Sequence, residues 1–376
     1  MRRKFRGSAL VMLIAVTGCS SETPPEPTPS PTDSQTMTPT PTFSPEEIAV
    51  DAMTTEERAA SVVMGHIPST DPEEVGDYMR SGLGGFILMG SNVEGDQEQL
   101  QALTEGLIVD EDLPPLIAID QEGGDVSRLP WDDLPGGRQL QGSDPEDVQN
   151  TFEDRANLVV DAGANVNLGI VADVPADSAD FIASRALGAD PPSSAANVQA
   201  AVTGEQGVVF STLKHFPGHG AAPGDSHFEL PSTDLSLELW READAVPFAA
   251  GVDAGAELLM FGHLVFSSVD DAPASLSERW HDIARSELGF EGVCITDDLG
   301  MLLSAGDDEY QDPVQNAVRA IDAGSDMVLM IAGSTPETAG DMAAGIAEAV
   351  ENGTLSEERL REAAIRVMSL RLQLAG

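Results

Sequence analysis

Beyond its opening residues the chain carries one lysine, Lys214, which starts the run Lys214-His215-Phe216-Pro217-Gly218-His219-Gly220. Asp225-Ser226-His227 follows closely, so three of the six histidines of the whole chain fall in this one stretch. Three chemistries fit such a cluster. His215 and His219 could bind a metal together with Asp225 or His227, but a four-residue spacing places two ligands on one face only in a helix. Pro217, Gly218 and Gly220 oppose a helix here, so no metal is expected. The stretch could also be a structural polar loop. The third chemistry is acid/base catalysis. Asp225 is close enough in sequence to hold and orient the His227 imidazole, which would make His227 a proton donor and acceptor near neutral pH.

Two other segments deliver carboxylates from apolar runs. Ile117-Ala118-Ile119-Asp120-Gln121-Glu122-Gly123-Gly124 ends in a tight glycine turn. Val293-Cys294-Ile295-Thr296-Asp297-Asp298 ends on Asp297, placed to act as nucleophile or electrostatic stabiliser. A nucleophilic carboxylate and a separate proton donor are the equipment of retaining glycoside hydrolysis. A serine hydrolase fits less well, because the chain has no Gly-x-Ser-x-Gly elbow.

Such groups need elements to hold them. Continuous apolar runs at 62–67, 85–89, 116–119, 165–171, 208–213, 257–261, 292–296 and 326–331 read as parallel strands covered on both faces. Between them, 96–107, 238–254, 278–288 and 313–323 have helical apolar spacing, and capping boxes at Thr54–Glu57 and Thr354–Glu357 open the expected first and last helices. The alternation predicts an α/β fold, a single (β/α)8 TIM barrel, with a doubly wound open sheet as the alternative. The polar candidates favour the barrel. Asp120, Asp173, Lys214-His215, His263 and Asp297 each end or follow a strand, and barrel active sites are built on that rim.

The formal charge of −45 excludes nucleic acid as a partner, since phosphates require lysine and arginine. It suits a solvated acidic surface. Arg2, Arg3, Lys4 and Arg6 precede a short apolar run, which reads as an export signal too short to span a bilayer. Val16-Thr17-Gly18-Cys19 resembles a bacterial lipobox in which Cys19 becomes lipidated. The expected organisation is a lipoprotein signal peptide over 1–18, a disordered Pro/Thr/Ser-rich linker over 19–44, and one catalytic domain over 45–376. Cys294 sits in an apolar run and is expected in the core.

The Lys214–Gly220 run, with Asp225-Ser226-His227 and Leu230-Pro231, resembles the signature of glycoside hydrolase family 3 in its NagZ-type β-N-acetylglucosaminidase branch. Asp120-Gln121-Glu122-Gly123-Gly124, Ser184-Arg185, Met260-Phe261-Gly262-His263, Pro273-Ala274-Ser275-Leu276-Ser277 and Thr296-Asp297-Asp298 fall in the family's order. The resemblance implies that Asp297 is the nucleophile, that His227 is the general acid/base with Asp225 as its dyad partner, and that Asp120, Arg128, Arg185, Lys214 and His215 bind the sugar. No cofactor is expected. The chain departs from the family at Asp125, where an arginine is usual after the glycine pair, and in the acidic loop 129–140 with Trp131, Asp132 and Asp133. If these residues line the mouth, anionic leaving groups are less welcome.

The expected function is therefore a retaining exo-β-N-acetylglucosaminidase, with muropeptides or chitin-like oligosaccharides as substrate. It is expected as a monomer, held by its lipid at the outer face of a bacterial membrane. A β-glucosidase or glycoside phosphorylase on the same barrel is one alternative, and a catalytically inactive sugar-binding lipoprotein is another.

Overall fold

The computed structural model describes residue 15, residues 43–177 and residues 181–375. Cys19 and nearly all of the expected signal peptide and linker lie outside the described residues. The chain divides into two units, Met1–Thr42 and Phe43–Gly376. The second is a closed barrel of eight parallel strands surrounded by helices.

The strands are β1 (Val63–Gly65), β2 (Gly85–Leu88), β3 (Leu116–Ile119), β4 (Val166–Val171), β5 (Phe210–Phe216), β6 (Leu258–Phe261), β7 (Val293–Asp298) and β8 (Met327–Leu329). Each pairs with its sequence neighbours, and β8 closes onto β1 with Val63 opposite Val328. All eight expected strands are present, and the open sheet is not. Two strands run further than their apolar stretches. β5 continues through Lys214 and His215 because Lys214 still pairs with Val171 of β4, and Phe216 with Phe261 of β6. β7 includes Asp297 and Asp298.

The helices follow the expected spacing with informative exceptions. Gln97–Leu107 is capped by Asp96, and Pro313–Ala323 occupies the expected span. The stretch 238–254 is broken into Leu237–Glu242 and Ala245–Asp253. Pro247 explains the break: its ring cannot tolerate a helical carbonyl four residues back, at Ala243. The Thr54–Glu57 capping box opens Thr55–Ser61, which is the second helix; Ser44 and Glu47 form an earlier box on Pro45–Asp51. The last helix, Glu357–Leu374, is capped by Ser356 and not by Thr354.

The larger core cluster is mostly aliphatic. Behind β5 to β7 the packing turns aromatic. The Phe216 ring lies edge-on to Phe248, Phe261, Trp240 and Trp280, with centroids 4.9 to 5.9 Å apart. Burying each such ring contributes about 2–3 kcal/mol. Trp240 Nε1 also donates to the Pro217 carbonyl at 2.7 Å, which fixes the turn leaving β5. The strands' N-terminal end is clamped by Asp326. Its buried carboxylate receives Arg359 at 2.7 Å, Arg366 at 3.0 Å and Arg285. The last helix also pairs with the first through Arg361 Nε and Asp51 Oδ1 at 2.6 Å.

Candidate active site

The sequence-predicted residues meet at the C-terminal rim of the strands. One cavity of about 120 Å³ is lined by Asp120, Arg128, Arg185, Lys214, His215, His227 and Asp297, together with Val126, Phe181, His219, Ser226 and Met260. A larger cavity, about 770 Å³, lies where the chain leads into β2 and β3, but its carboxylates Glu56, Glu57 and Asp110 are exposed. Only the smaller cavity holds buried titratable groups facing one another.

Its floor is an ion-pair network. Lys214 Nζ, at the end of β5, lies 2.8 Å from Asp120 Oδ1 and 2.8 Å from Glu122 Oε1. Arg128 Nη2 donates to Asp120 Oδ2 at 3.0 Å. Arg185 grips Glu122 with two bonds of 2.9 and 2.7 Å, and its Nη2 also reaches His215 Nε2 at 3.2 Å. His215 Nδ1 meets Asp173 Oδ2 at 2.7 Å. Burial alone would push the Asp120 and Glu122 carboxyls up, but Lys214 with Arg128 or Arg185 more than offsets it and both are held below the usual range. Burial likewise pushes Lys214 down, and the same carboxylates reverse the sign, so its ammonium stays charged. Charged groups held in this way can orient sugar hydroxyls through charge-assisted hydrogen bonds.

Asp297 stands at the tip of β7. Burial raises its carboxyl, yet the proximity of His215 and His263, the Asp298 backbone N–H at 2.8 Å and Lys214 outweigh that, leaving it below the usual range. It is therefore ionised at neutral pH, as attack on a sugar carbon requires. His263 is buried behind it, spanning Ser275 Oγ at 2.7 Å and the Asp298 carbonyl at 2.8 Å. At the mouth, His227 Nδ1 lies 2.7 Å from Asp225 Oδ1, with side-chain exposures of 58% and 36%. Phe228, next in the chain, is 79% exposed.

The local backbone follows from two glycines. Gly123 has φ of +81°, and a Cβ there would meet Arg155 Nη2 at 2.2 Å. A Cβ at Gly220 would strike the Val174 carbonyl oxygen at 1.9 Å. Both turns press against neighbouring elements, and only glycine fits. The peptide bonds Lys214–His215 and Phe216–Pro217 are cis.

Asp132 does not line the mouth. Its side chain is fully buried and accepts Arg155 Nε at 3.0 Å and Gln121 Nε2 at 2.6 Å. Gln121 Oε1 in turn accepts the backbone N–H groups of Arg128 and Leu129 at 2.9 and 3.0 Å. The carboxylate thus braces the loop that carries Arg128. Asp125 and Asp133 are exposed. Glu122 is a further member of the site that spacing alone did not single out; it lies in the same motif as Asp120, and the scarce cations Lys214 and Arg185 find it as a partner. His215 and His219 share no helix, and no group of residues suited to a metal occurs among the described residues.

Residues 54–370 match the glycosyl hydrolase family 3 N terminal domain, and the chain belongs to that family. The chain is 36% identical over 276 residues to the β-hexosaminidase of Chromobacterium violaceum, covering 70% of this chain and 76% of that protein. It is 35% identical over 258 residues to the β-hexosaminidase of Stenotrophomonas maltophilia, covering 65% of this chain and 75% of that one. Among solved structures, a family 3 β-N-acetylglucosaminidase from a Paenibacillus species superposes with a TM-score of 0.80 at 28% identity, over 86% of this chain and 64% of that one. This chain thus spans slightly under two thirds of that enzyme's length. The β-N-acetylhexosaminidase of Beutenbergia cavernae gives a TM-score of 0.76 at 29% identity, over 85% of this chain and 98% of that one.

Proposed function

We propose that the protein is a retaining, exo-acting β-N-acetylglucosaminidase. The observation that carries this reading is the cavity shared by Asp297, His227 and the Asp120, Lys214, Arg128, Arg185 and His215 group. The names of the relatives support the choice of sugar. The cavity is small and floored by the ion-pair network, which suits one terminal ring and not an internal segment of a chain.

The reaction is a double displacement. Asp297 attacks the anomeric carbon as the imidazolium of His227 gives its proton to the leaving oxygen, and the glycosidic bond breaks. The resulting ester joins the sugar to Asp297. Neutral His227 then takes a proton from water, whose oxygen attacks the same carbon from the other face. Asp297 is released and the β configuration is retained. Asp225 fixes the ring so that its other nitrogen is free to move the proton. Asp120, Arg128, Arg185, Lys214 and His215 hold the sugar hydroxyls.

The natural substrate class is a muropeptide or chitin-like oligosaccharide, met at the outer face of a bacterial membrane where Cys19 carries a lipid. The export-like start and the Pro/Thr/Ser-rich spacer support that placement. No helix among the described residues is long and apolar enough to cross a membrane. The deciding experiment is a panel of nitrophenyl sugars, with and without phosphate. Release from the N-acetylglucosaminide, lost in Asp297→Ala, is the expected result. Preference for the glucoside, dependence on phosphate, or sugar binding without turnover would each replace this reading with one of its alternatives.

A further inference from the structure

His227 is exposed and Asp225 half-buried, yet the residue between them is buried. Ser226 is 4% exposed. Its Oγ turns inward and lies 2.9 Å from Nε2 of His219. His219 is held from several directions. Its backbone N–H donates to Asp173 Oδ1 at 2.6 Å, its ring meets the Phe181 ring edge-on at 4.6 Å, and the His215 ring lies 5.9 Å away. Its Nδ1 is buried and has no partner. A bare acceptor is tolerated in the interior better than a bare N–H, so the ring proton sits on Nε2 and is donated to Ser226. Burial, which brings His219 down to about 4, keeps that ring neutral. The bonds of the flanking residues stay within the loop: the backbone N–H groups of His227, Phe228 and Glu229 all return to Asp225. Ser226 instead reaches the residue that follows the β5 turn.

We propose that the Ser226–His219 hydrogen bond is the tie that sets the His227 imidazole over the cavity. Ser226 and His219 are then positioning residues for proton transfer to the leaving group, and not for attack by Asp297. This inference rests on the acid/base reading of His227. Untying the loop leaves Asp297 and the cavity floor in place but lets the proton donor stray. A leaving group that departs as a stable anion needs no proton, whereas a basic one does.

The test compares kcat/KM for dinitrophenyl, nitrophenyl and phenyl N-acetylglucosaminides, because that ratio reports formation of the glycosyl-enzyme. Ser226→Ala should lower it at least about tenfold on the phenyl substrate and less than about threefold on the dinitrophenyl one, within the range a general acid supplies. Ser226→Thr, which keeps the hydroxyl, should recover most of the loss. On a His227→Ala background, Ser226→Ala should add less than about twofold, since the two act as one unit. If the alanine variant does not fold, Ser226→Cys, close in shape but a weak acceptor, is read in the same way. A loss of equal size on all three substrates, or full additivity with His227→Ala, overturns the proposal. The two readings fail separately. A flat response in His227→Ala removes the acid/base assignment itself, whereas a steep response there with a flat one in Ser226→Ala removes only the tie.

Discussion

The ammonium nitrogen of Lys214 stands 2.8 Å from Oδ1 of Asp120, and both side chains are largely withdrawn from solvent. The same nitrogen neutralises Glu122. Removing it leaves each of two buried carboxylates with one cation, Asp120 with Arg128 and Glu122 with Arg185, and the loss should fall at the low end for a broken buried pair, about 3 kcal/mol. Lys214→Met should therefore lower the unfolding free energy, read from a denaturant titration, by that amount and raise KM. A variant as stable as the parent would show that the network is not what holds the floor together.

Asp297→Ala should reduce kcat/KM by about 10⁴-fold or more, as loss of a nucleophile does. A fluorinated sugar that forms a slow-decaying ester should label Asp297 in the parent protein, detected by peptide mass. Label on any other side chain contradicts the assignment.

Asp225→Asn replaces the carboxylate that orients His227. The expected loss is about 10²-fold on substrates with poor leaving groups, with folding intact because both residues are at the surface. Unchanged rates on the phenyl glycoside would detach Asp225 from catalysis.

Glu205 supplies a pH signature unrelated to the active site. It is fully buried, its Oε1 accepts from Asn167 Nδ2 at 2.6 Å, and its Oε2 has no partner. Burial pushes its carboxyl up to about 8, against roughly 4.3 in the unfolded chain. A folded pKa that is raised contributes stability below the unfolded value and loses it as pH climbs through the folded value. The melting temperature of the parent should thus fall relative to Glu205→Gln between about pH 4 and pH 8. Parallel curves over that window would refute the claim.

Asp132 and Asp125 should behave oppositely despite similar chemistry. Asp132→Ala leaves Arg155 buried and unpaired, and should cost about 3–5 kcal/mol. Asp125→Arg, at an exposed site, should change stability by less than about 0.5 kcal/mol. It should also raise kcat/KM for substrates with an anionic leaving group, measured against neutral ones. No change in that ratio would place Asp125 outside the path of the leaving group.

The barrel and its rim were legible because continuous apolar runs ended in Lys214, the one lysine beyond the opening residues, and in the scarce histidines. Hydrophobic periodicity marks a strand and its polar terminus directly. It says nothing about which cation a carboxylate meets, so neither the place of Glu122 beside Asp120 nor the inward turn of Asp132 toward Arg155 can be read from it. The break at Ala243 was hidden because a proline near a helix start is harmless in itself, and only its ring's reach back over one turn reveals the fault. The Ser226–His219 bond joins two residues whose neighbours carry the obvious chemistry, and sequence spacing alone gives no sign of which way a loop side chain faces.

The first and last helices lie together, joined by Asp51 and Arg361, and the residues of the first share a hollow with the segments leading into β2 and β3. The polypeptide therefore comes into the domain at the pole opposite the catalytic mouth. The seam between chain entry and chain end is thus kept away from the sugar-facing rim, so a change at Asp51 or Arg361 should loosen the closure of the domain without disturbing the catalytic groups.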